Sequence, residues 1–290
     1  MHATLVDVRS RGRGTSYSRR RGVVEHALRF AYRGDWPARI WAKVPGSCAV
    51  RVVERSVPLL PPGSSPLRFG FVSDIHIGPT TPLALLDAAF DALARARLDV
   101  LMLGGDYVFL DATREKADLL ASLVARVPAK KKVAVLGNHD LWAEHVLLER
   151  ALESVNVEIL CNTRVQITPD CAVVGLDDPW TGRIDASLAM RDVTARAIVV
   201  LCHSPDGLPN ASAHIPHTNA LYVCGHTHGG HIATPWGPII TPGRLGKKYP
   251  HGFHDVPPFF LHVSRGIGGS EVPMRTFASP EVAVIDVVAL

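Results

Sequence analysis

No apolar run in the sequence approaches the roughly 20 residues that a bilayer-crossing helix needs, so there is no candidate membrane span. Cysteine is also sparse. Cys48, Cys161, Cys171, Cys202 and Cys224 form no close-spaced ligand motif. Four of them lie in or beside apolar strand-like runs, where a free thiol behaves as a small hydrophobe, a pattern that suits a reducing compartment. Charge of one sign does not dominate either: 31 Lys and Arg face 27 Asp and Glu, for a net +4. A nucleic-acid binder would more often show a concentrated patch. The basic clusters present, Arg11 to Arg21, Lys130 to Lys132 and Lys247-Lys248, read as a solvated tail and loops, although the last could face an anionic substrate. Ser18-Arg-Arg-Arg21 resembles a twin-arginine export signal, yet no continuous apolar segment follows it. There is no internal repeat.

What the chain does have is apolar content, 47% of 290 residues, enough for one substantial core or two small ones. Residues 1–45 read as a basic leader, disordered or carrying a short amphipathic helix from Val23 to Tyr32, free to dock on the domain or touch a membrane surface. Residues 46–290 read as a single domain. From Leu67 onward, strand and helix alternate. Strands are expected at 49–60, 68–73, 100–103, 132–136, 157–160, 164–167, 172–176, 197–202, 221–224, 259–264 and 281–288. Helices are expected at 82–97, capped by Thr81, and at 113–125, 143–152 and 183–190. The stretch 230–258 is rich in proline and glycine and reads as a long ordered loop.

Five strand tips carry metal-capable residues. Asp74 and His76, two apart at the end of an apolar run, leave the strand on one side and can address one point. Gly105-Asp106, Gly137-Asn138-His139-Asp140, His203 and Gly225-His226-Thr227-His228 repeat the pattern after later apolar runs. Carboxylates and imidazoles aimed at one place suggest a metal. Their placement describes an α/β domain with its site outside the carboxyl edge of the sheet.

In order and spacing, these blocks resemble the motifs of the calcineurin-like metallophosphoesterases, from about Leu67 to the C-terminus. The Gly-His-Thr-His-Gly-Gly, Val-Ser-Arg-Gly and Pro-Glu-Val stretches are similar to those of the bacterial YkuE- and YaeI-like subgroup. The resemblance implies a sandwich of two mixed β-sheets flanked by helices, with the active site at the C-terminal ends of the strands. It implies two divalent or mixed-valence transition-metal ions, drawn from Mn, Fe, Zn, Co and Ni. Asp74, His76, Asp106 and His228 would hold the first, and Asp106, Asn138, His203 and His226 the second, with Asp106 bridging. His139 becomes the non-ligand histidine that contacts the phosphate and protonates the leaving oxygen. Asp140 is expected to orient His139. His231 and Arg265 are candidates for substrate contact, with a structural salt bridge as the other option for Arg265. Asp177-Asp178 is expected to cap a turn in preference to bonding a ligand histidine.

The implied function is a dinuclear metal-dependent phosphohydrolase, first of all a phosphodiesterase on a small organic or lipid-linked phosphate. Phosphomonoesterase and pyrophosphohydrolase activity use the same centre. A non-catalytic metal-bound scaffold is the rival reading, and retention of His139 and every ligand favours the enzyme. Trp236, Tyr249, Phe253, Phe259 and Phe260 could wall a lipid-linked substrate or pack within the loop. No dedicated nucleic-acid module is evident. The expected setting is cytoplasmic, with peripheral membrane contact through the leader left open, and no residue pattern specifies an oligomeric state.

Overall fold

The computed structural model describes residues 16–215 and 220–290. The described residues open with α1 (Arg19–Ala31), started by Ser18, whose hydroxyl accepts from the Arg21 N–H, and α2 (Trp36–Trp41). The amphipathic helix expected at Val23 to Tyr32 thus begins four residues earlier and lies against the domain. Tyr32 Oη donates to the Glu271 carbonyl at 2.8 Å, and the Ala38 N–H to the Pro79 carbonyl at 3.0 Å. Residues 1–15, with Arg11 and Arg13 of the basic cluster, lie outside the described part.

The apolar runs then fold as strands: β1 (Arg51–Leu60), β2 (Leu67–Val72), β3 (Leu98–Leu103), β4 (Ala129–Ala134) and β5 (Val157–Ile159). Helices α3 (Leu83–Arg95), α4 (Arg114–Ala125), α5 (Asn138–Trp142) and α6 (His145–Glu153) connect them. The second half supplies β6 (Thr163–Thr168), β7 (Cys171–Gly175), β8 (Ala197–Leu201) and β9 (Ala220–Cys224), with α7 (Ala186–Met190) and α8 (Leu208–His214). A hairpin of β10 (Ala233–Thr234) and β11 (Gly237–Pro238) follows, then α9 (Arg244–Lys248), β12 (Gly252–Val256), β13 (Phe259–Val263) and β14 (Glu281–Ala289).

Two six-stranded sheets result, in the orders β1-β14-β2-β3-β4-β5 and β12-β13-β9-β8-β7-β6. Both are mixed. β2 to β5 run parallel and β14 antiparallel to β2, while β13, β9, β8 and β7 run parallel between two antiparallel edges. Phe69, Phe71, Val100, Met102 and Val133 on one sheet face Val173, Val199, Leu201, Leu221 and Val223 on the other across a shared core. The outer face of the first sheet packs under α3, α4 and α6, and that of the second under α7 and α8. Parallel strands buried on both faces explain why these segments are continuously apolar instead of alternating.

Three local expectations need correction. Thr81 does not cap α3: Pro82 occupies the cap position without a side-chain bond, and Thr81 Oγ1 accepts from the Gly269 N–H. The helix expected at 143–152 starts two residues later, as α6, because Ala143 is extended (φ −99°, ψ −168°) and separates it from the short α5. The loop at 230–258 contains β10, β11, α9 and β12. Among the described residues, no helix is long and apolar enough to cross a membrane.

Candidate metal centre

The central parallel strands of both sheets point their carboxyl ends at one place. Asp74 and His76 follow β2, Asp106 follows β3, Asn138 opens α5 after β4, His203 follows β8, and His226 and His228 follow β9. Their ligand atoms gather in three overlapping groups: Asp74, His76 and His228; His76, Asp106 and His139; Asp106, His203 and His226. Asp106 Oδ2 lies 3.2 Å from His203 Nε2 and 3.6 Å from His76 Nε2. His228 Nε2 lies 3.5 Å from Asp74 Oδ1 and 3.2 Å from His76 Nε2. His226 Nδ1 faces His203 Nε2 at 3.2 Å.

The backbone is bent to achieve this. Asp74, His76, Asp106, His226 and His228 have φ of 52°, 47°, 57°, 70° and 53°. Such left-handed conformations cost about 1–3 kcal/mol each and gather where function needs them. Glycines let the tips approach. A Cβ on Gly137 would overlap the Asp106 carboxylate, and one on Gly225 would overlap Asp74 and Ser73. Gly137→Ala is therefore expected to displace Asp106 and reduce bound metal, with turnover down by about 10²-fold, as a displacement on the order of 1 Å can cause. Metal content per chain together with initial rates checks it, and full metal occupancy with unchanged rate would refute it.

The donor set fits divalent cations. Asn138 is 3% exposed and its Oδ1 has no hydrogen-bond partner, although buried carbonyls ordinarily have one. His203 donates Nδ1–H to the Gly104 carbonyl at 2.8 Å, which leaves Nε2 as the ring nitrogen turned into the cluster, able to ligate once its proton is gone. Without a cation, the charges balance through protons. Burial alone would raise the Asp106 carboxyl, but His203, His139 and His76 hold it below the usual carboxylate range. Burial opposes a charged His203, yet Asp106, Asp74 and Asp178 raise its pKa well above the ordinary value. Burial and His203 drive His226 well below it, and burial, His76 and Arg275 do the same for His228. A cation at the same point would displace the His203 proton.

Beside this cluster is a cavity of about 430 Å³, lined among others by Arg21, His139, Trp142, Trp180, His231, Ile239, Ile240 and Val272. His231 reaches the cleft as expected, with Nε2 2.7 Å from the Val272 carbonyl. Arg265 does not. It pairs with Glu281 at 2.6 Å under the Gly229 turn, the structural alternative of the two. Asp178 caps the turn through the N–H groups of Thr181 (2.7 Å) and Trp180 (3.1 Å). Asp140 does not orient His139. Its oxygens accept from the N–H groups of Asp106 (2.7 Å), Tyr107 (2.7 Å) and Gly137 (3.0 Å), so it braces the turn that carries Asp106. Of the loop aromatics, Tyr249, Phe253 and Phe259 pack internally against His254, His262 and Tyr222.

Sequence reasoning missed Arg21, Trp142, Trp180 and Glu271 in the cleft. Trp142 had a signal, since it lies three residues after His139 in a helix and so shares its face; their rings are 4.9 Å apart. Trp180 sits 4.6 Å from the His226 ring, with Nε1 donating to Asp206 at 3.0 Å.

Residues 67–230 match the family described as calcineurin-like phosphoesterase. The chain belongs to that family. Members of the family bind divalent metals and hydrolyse phosphoric esters, and the side chains that could hold a metal ion here lie within the matched stretch. The chain is 29% identical over 237 residues to phosphodiesterase YaeI of Escherichia coli (strain K12), covering 78% of this chain and 83% of that one. It is 26% identical over 234 residues to the uncharacterized metallophosphoesterase YkuE of Bacillus subtilis (strain 168), covering 78% and 80%. It is 25% identical over 280 residues to UDP-2,3-diacylglucosamine pyrophosphatase LpxG of Chlamydia muridarum, covering 76% and 83%.

Proposed function

We propose that this phosphoesterase is a two-metal phosphodiesterase acting on a lipid-linked or small organic phosphate. The observation that carries the reading is the chain of overlapping ligand clusters, in which the Asp106 carboxylate belongs to two and His76 links one of these to Asp74 and His228. Asp74, His76, Asp106 and His228 would hold one cation, and Asp106, Asn138, His203 and His226 the other. Bound there, the cations supply an activated water at neutral pH and charge stabilisation for phosphoryl oxygens. The chain's own groups do the rest. Asp106 spans both clusters and fixes His139 by accepting its backbone N–H at 2.8 Å. His139 presents a ring N–H to the leaving oxygen as charge develops there. Trp142 and Trp180 narrow the cleft and exclude water, and His231 stands at its edge.

The substrate class follows from the walls. Ile239, Ile240 and Val272 line the cavity yet are 63%, 76% and 40% exposed, and Trp236 in the adjoining hairpin is 92% exposed. An apolar rim of this kind suits an acyl chain beside the phosphate. Relatives named as a phosphodiesterase and as a UDP-2,3-diacylglucosamine pyrophosphatase support the same direction. Val23 and Phe30 on α1 are 70% and 67% exposed beside Arg19 and Arg20, which favours peripheral contact with an anionic membrane.

Two measurements test this. A chromogenic phosphodiester and its monoester are compared in Mn2+; preferential diester cleavage supports the reading, and turnover of the monoester alone moves it to a phosphatase. Affinity for anionic phospholipid vesicles, read by co-sedimentation, should fall about 10²-fold or more for a Trp236→Ser, Ile240→Ser variant, the scale of two lost apolar insertions of about 1.5–3 kcal/mol each. Equal sedimentation of variant and wild type would remove the membrane part and leave the small organic phosphate.

A further inference from the structure

The N-terminal helix α1 lies outside the family-matched stretch, yet it places one side chain in the catalytic cleft. Arg21 is held at three points. Its Nε donates to Glu25 at 3.1 Å, its Nη1 pairs with Glu271, and its guanidinium carbon lies 4.4 Å over the Trp142 ring. That grip aims Nη2 at Nδ1 of His139, 3.4 Å away. The His139 ring is boxed on its other sides, 4.8 Å from His76 and 4.9 Å from Trp142.

We propose that Arg21 is a positioning residue for His139. A guanidinium has donors only, so the atom of His139 that meets it must be an acceptor. Nδ1 therefore carries the lone pair and Nε2 carries the hydrogen, which fixes which ring nitrogen can donate a hydrogen bond to a substrate oxygen; the neutral ring stabilises charge developing on that oxygen and keeps its own proton. In metal sites and triads, a carboxylate or carbonyl usually accepts the N–H of the ring, and Asp140 is occupied with backbone N–H groups. Here a cation takes the opposite part and selects the opposite tautomer. The two carboxylates on Arg21 anchor it and offset its charge, so that it acts as a directional donor and not as a competing phosphate trap. The leader is then a working part of the site.

This rests on the reading of His139 as the donor to the leaving oxygen. The test uses the full chain. Arg21→Ala should lower kcat by about 10–100-fold, the usual cost of losing such a partner, with KM and metal content little changed. The loss should be greater for a diester with an alkyl leaving group than for a nitrophenyl one, and added ethylguanidinium should restore part of it. In a His139→Ala background, the same substitution should cost nothing further. Tyr32→Phe, which loosens α1 without touching the guanidinium, should leave the leaving-group dependence unchanged. If Tyr32→Phe reproduces the Arg21→Ala effects, or if the two losses add, Arg21 only staples the helix and the proposal fails. The 15N signals of the His139 ring in metal-free protein should show an unprotonated Nδ1 in wild type and a tautomer mixture in Arg21→Ala. An unchanged spectrum overturns the proposal even if no substrate is turned over, an outcome that would separately sink the phosphodiesterase reading.

Discussion

Asp106→Ala is expected to strip both metal ions from the protein, whereas His139→Ala should keep both and fail at turnover. The two side chains are neighbours, so the contrast tests roles and not location. Asp106 Oδ2 faces His203 at 3.2 Å and His76 at 3.6 Å, while Oδ1 accepts the His139 N–H at 2.8 Å. Oδ2 is thus the atom that faces both clusters, and its removal leaves His76 and His203 with no shared anion between them. Metal content should fall from two ions toward none. His139 closes one of the three clusters but sits at the cleft, and seven other groups account for the ligand positions. Losing it should lower kcat by about 10²–10³-fold, the range of a lost hydrogen-bond donor to developing charge, with metal content unchanged. Elemental analysis of dialysed protein beside initial rates decides the matter. Equal metal loss in both variants would show that His139 is a ligand.

The convergence of the candidate ligands was legible in the sequence because metal chemistry restricts residue type and a parallel strand restricts placement. Asp74, His76, Asp106, Asn138, His203, His226 and His228 each follow a short apolar run, and each of those runs is a central strand of one sheet or the other. Two features were not legible. Side-chain direction at a tight turn depends on backbone dihedrals that a motif does not state, which is why Asp140 turns to the N–H groups of residues 106 and 107 and away from its neighbour His139. Arg265 likewise follows β13 toward Glu281, a partner 16 residues on, and misses the cleft. The other is long-range docking. The Arg21 and His139 side chains meet across 118 residues, and a short polar helix with exposed Val23 and Phe30 gives no periodic signal of which face is covered. Apolar patterning reports that a helix is amphipathic; it does not report what the polar face will grip.

Asp140→Ala should cost both stability and metal, and Asp140→Asn about half as much. Asp140 is fully buried, and its carboxylate accepts from Asp106 and Tyr107 at 2.7 Å and from Gly137 at 3.0 Å. Alanine would orphan the three closest of the four buried N–H groups that donate to Asp140, at about 1–3 kcal/mol apiece, a total on the order of 4 kcal/mol. For a domain of this size that is a fall in Tm of about 10 °C. Asparagine keeps one oxygen but turns an NH2 group toward a donor, so it mends only half of the network. The metal follows because Asp106 loses its bonded backbone, and with it the φ of 57° that points its carboxylate between the two clusters. A residue that merely oriented His139 would behave otherwise: kcat would drop while Tm and metal content held. Thermal unfolding of the metal-free and metal-loaded variants separates these outcomes. A normal Tm together with two bound ions would return Asp140 to the role its place beside His139 first suggested.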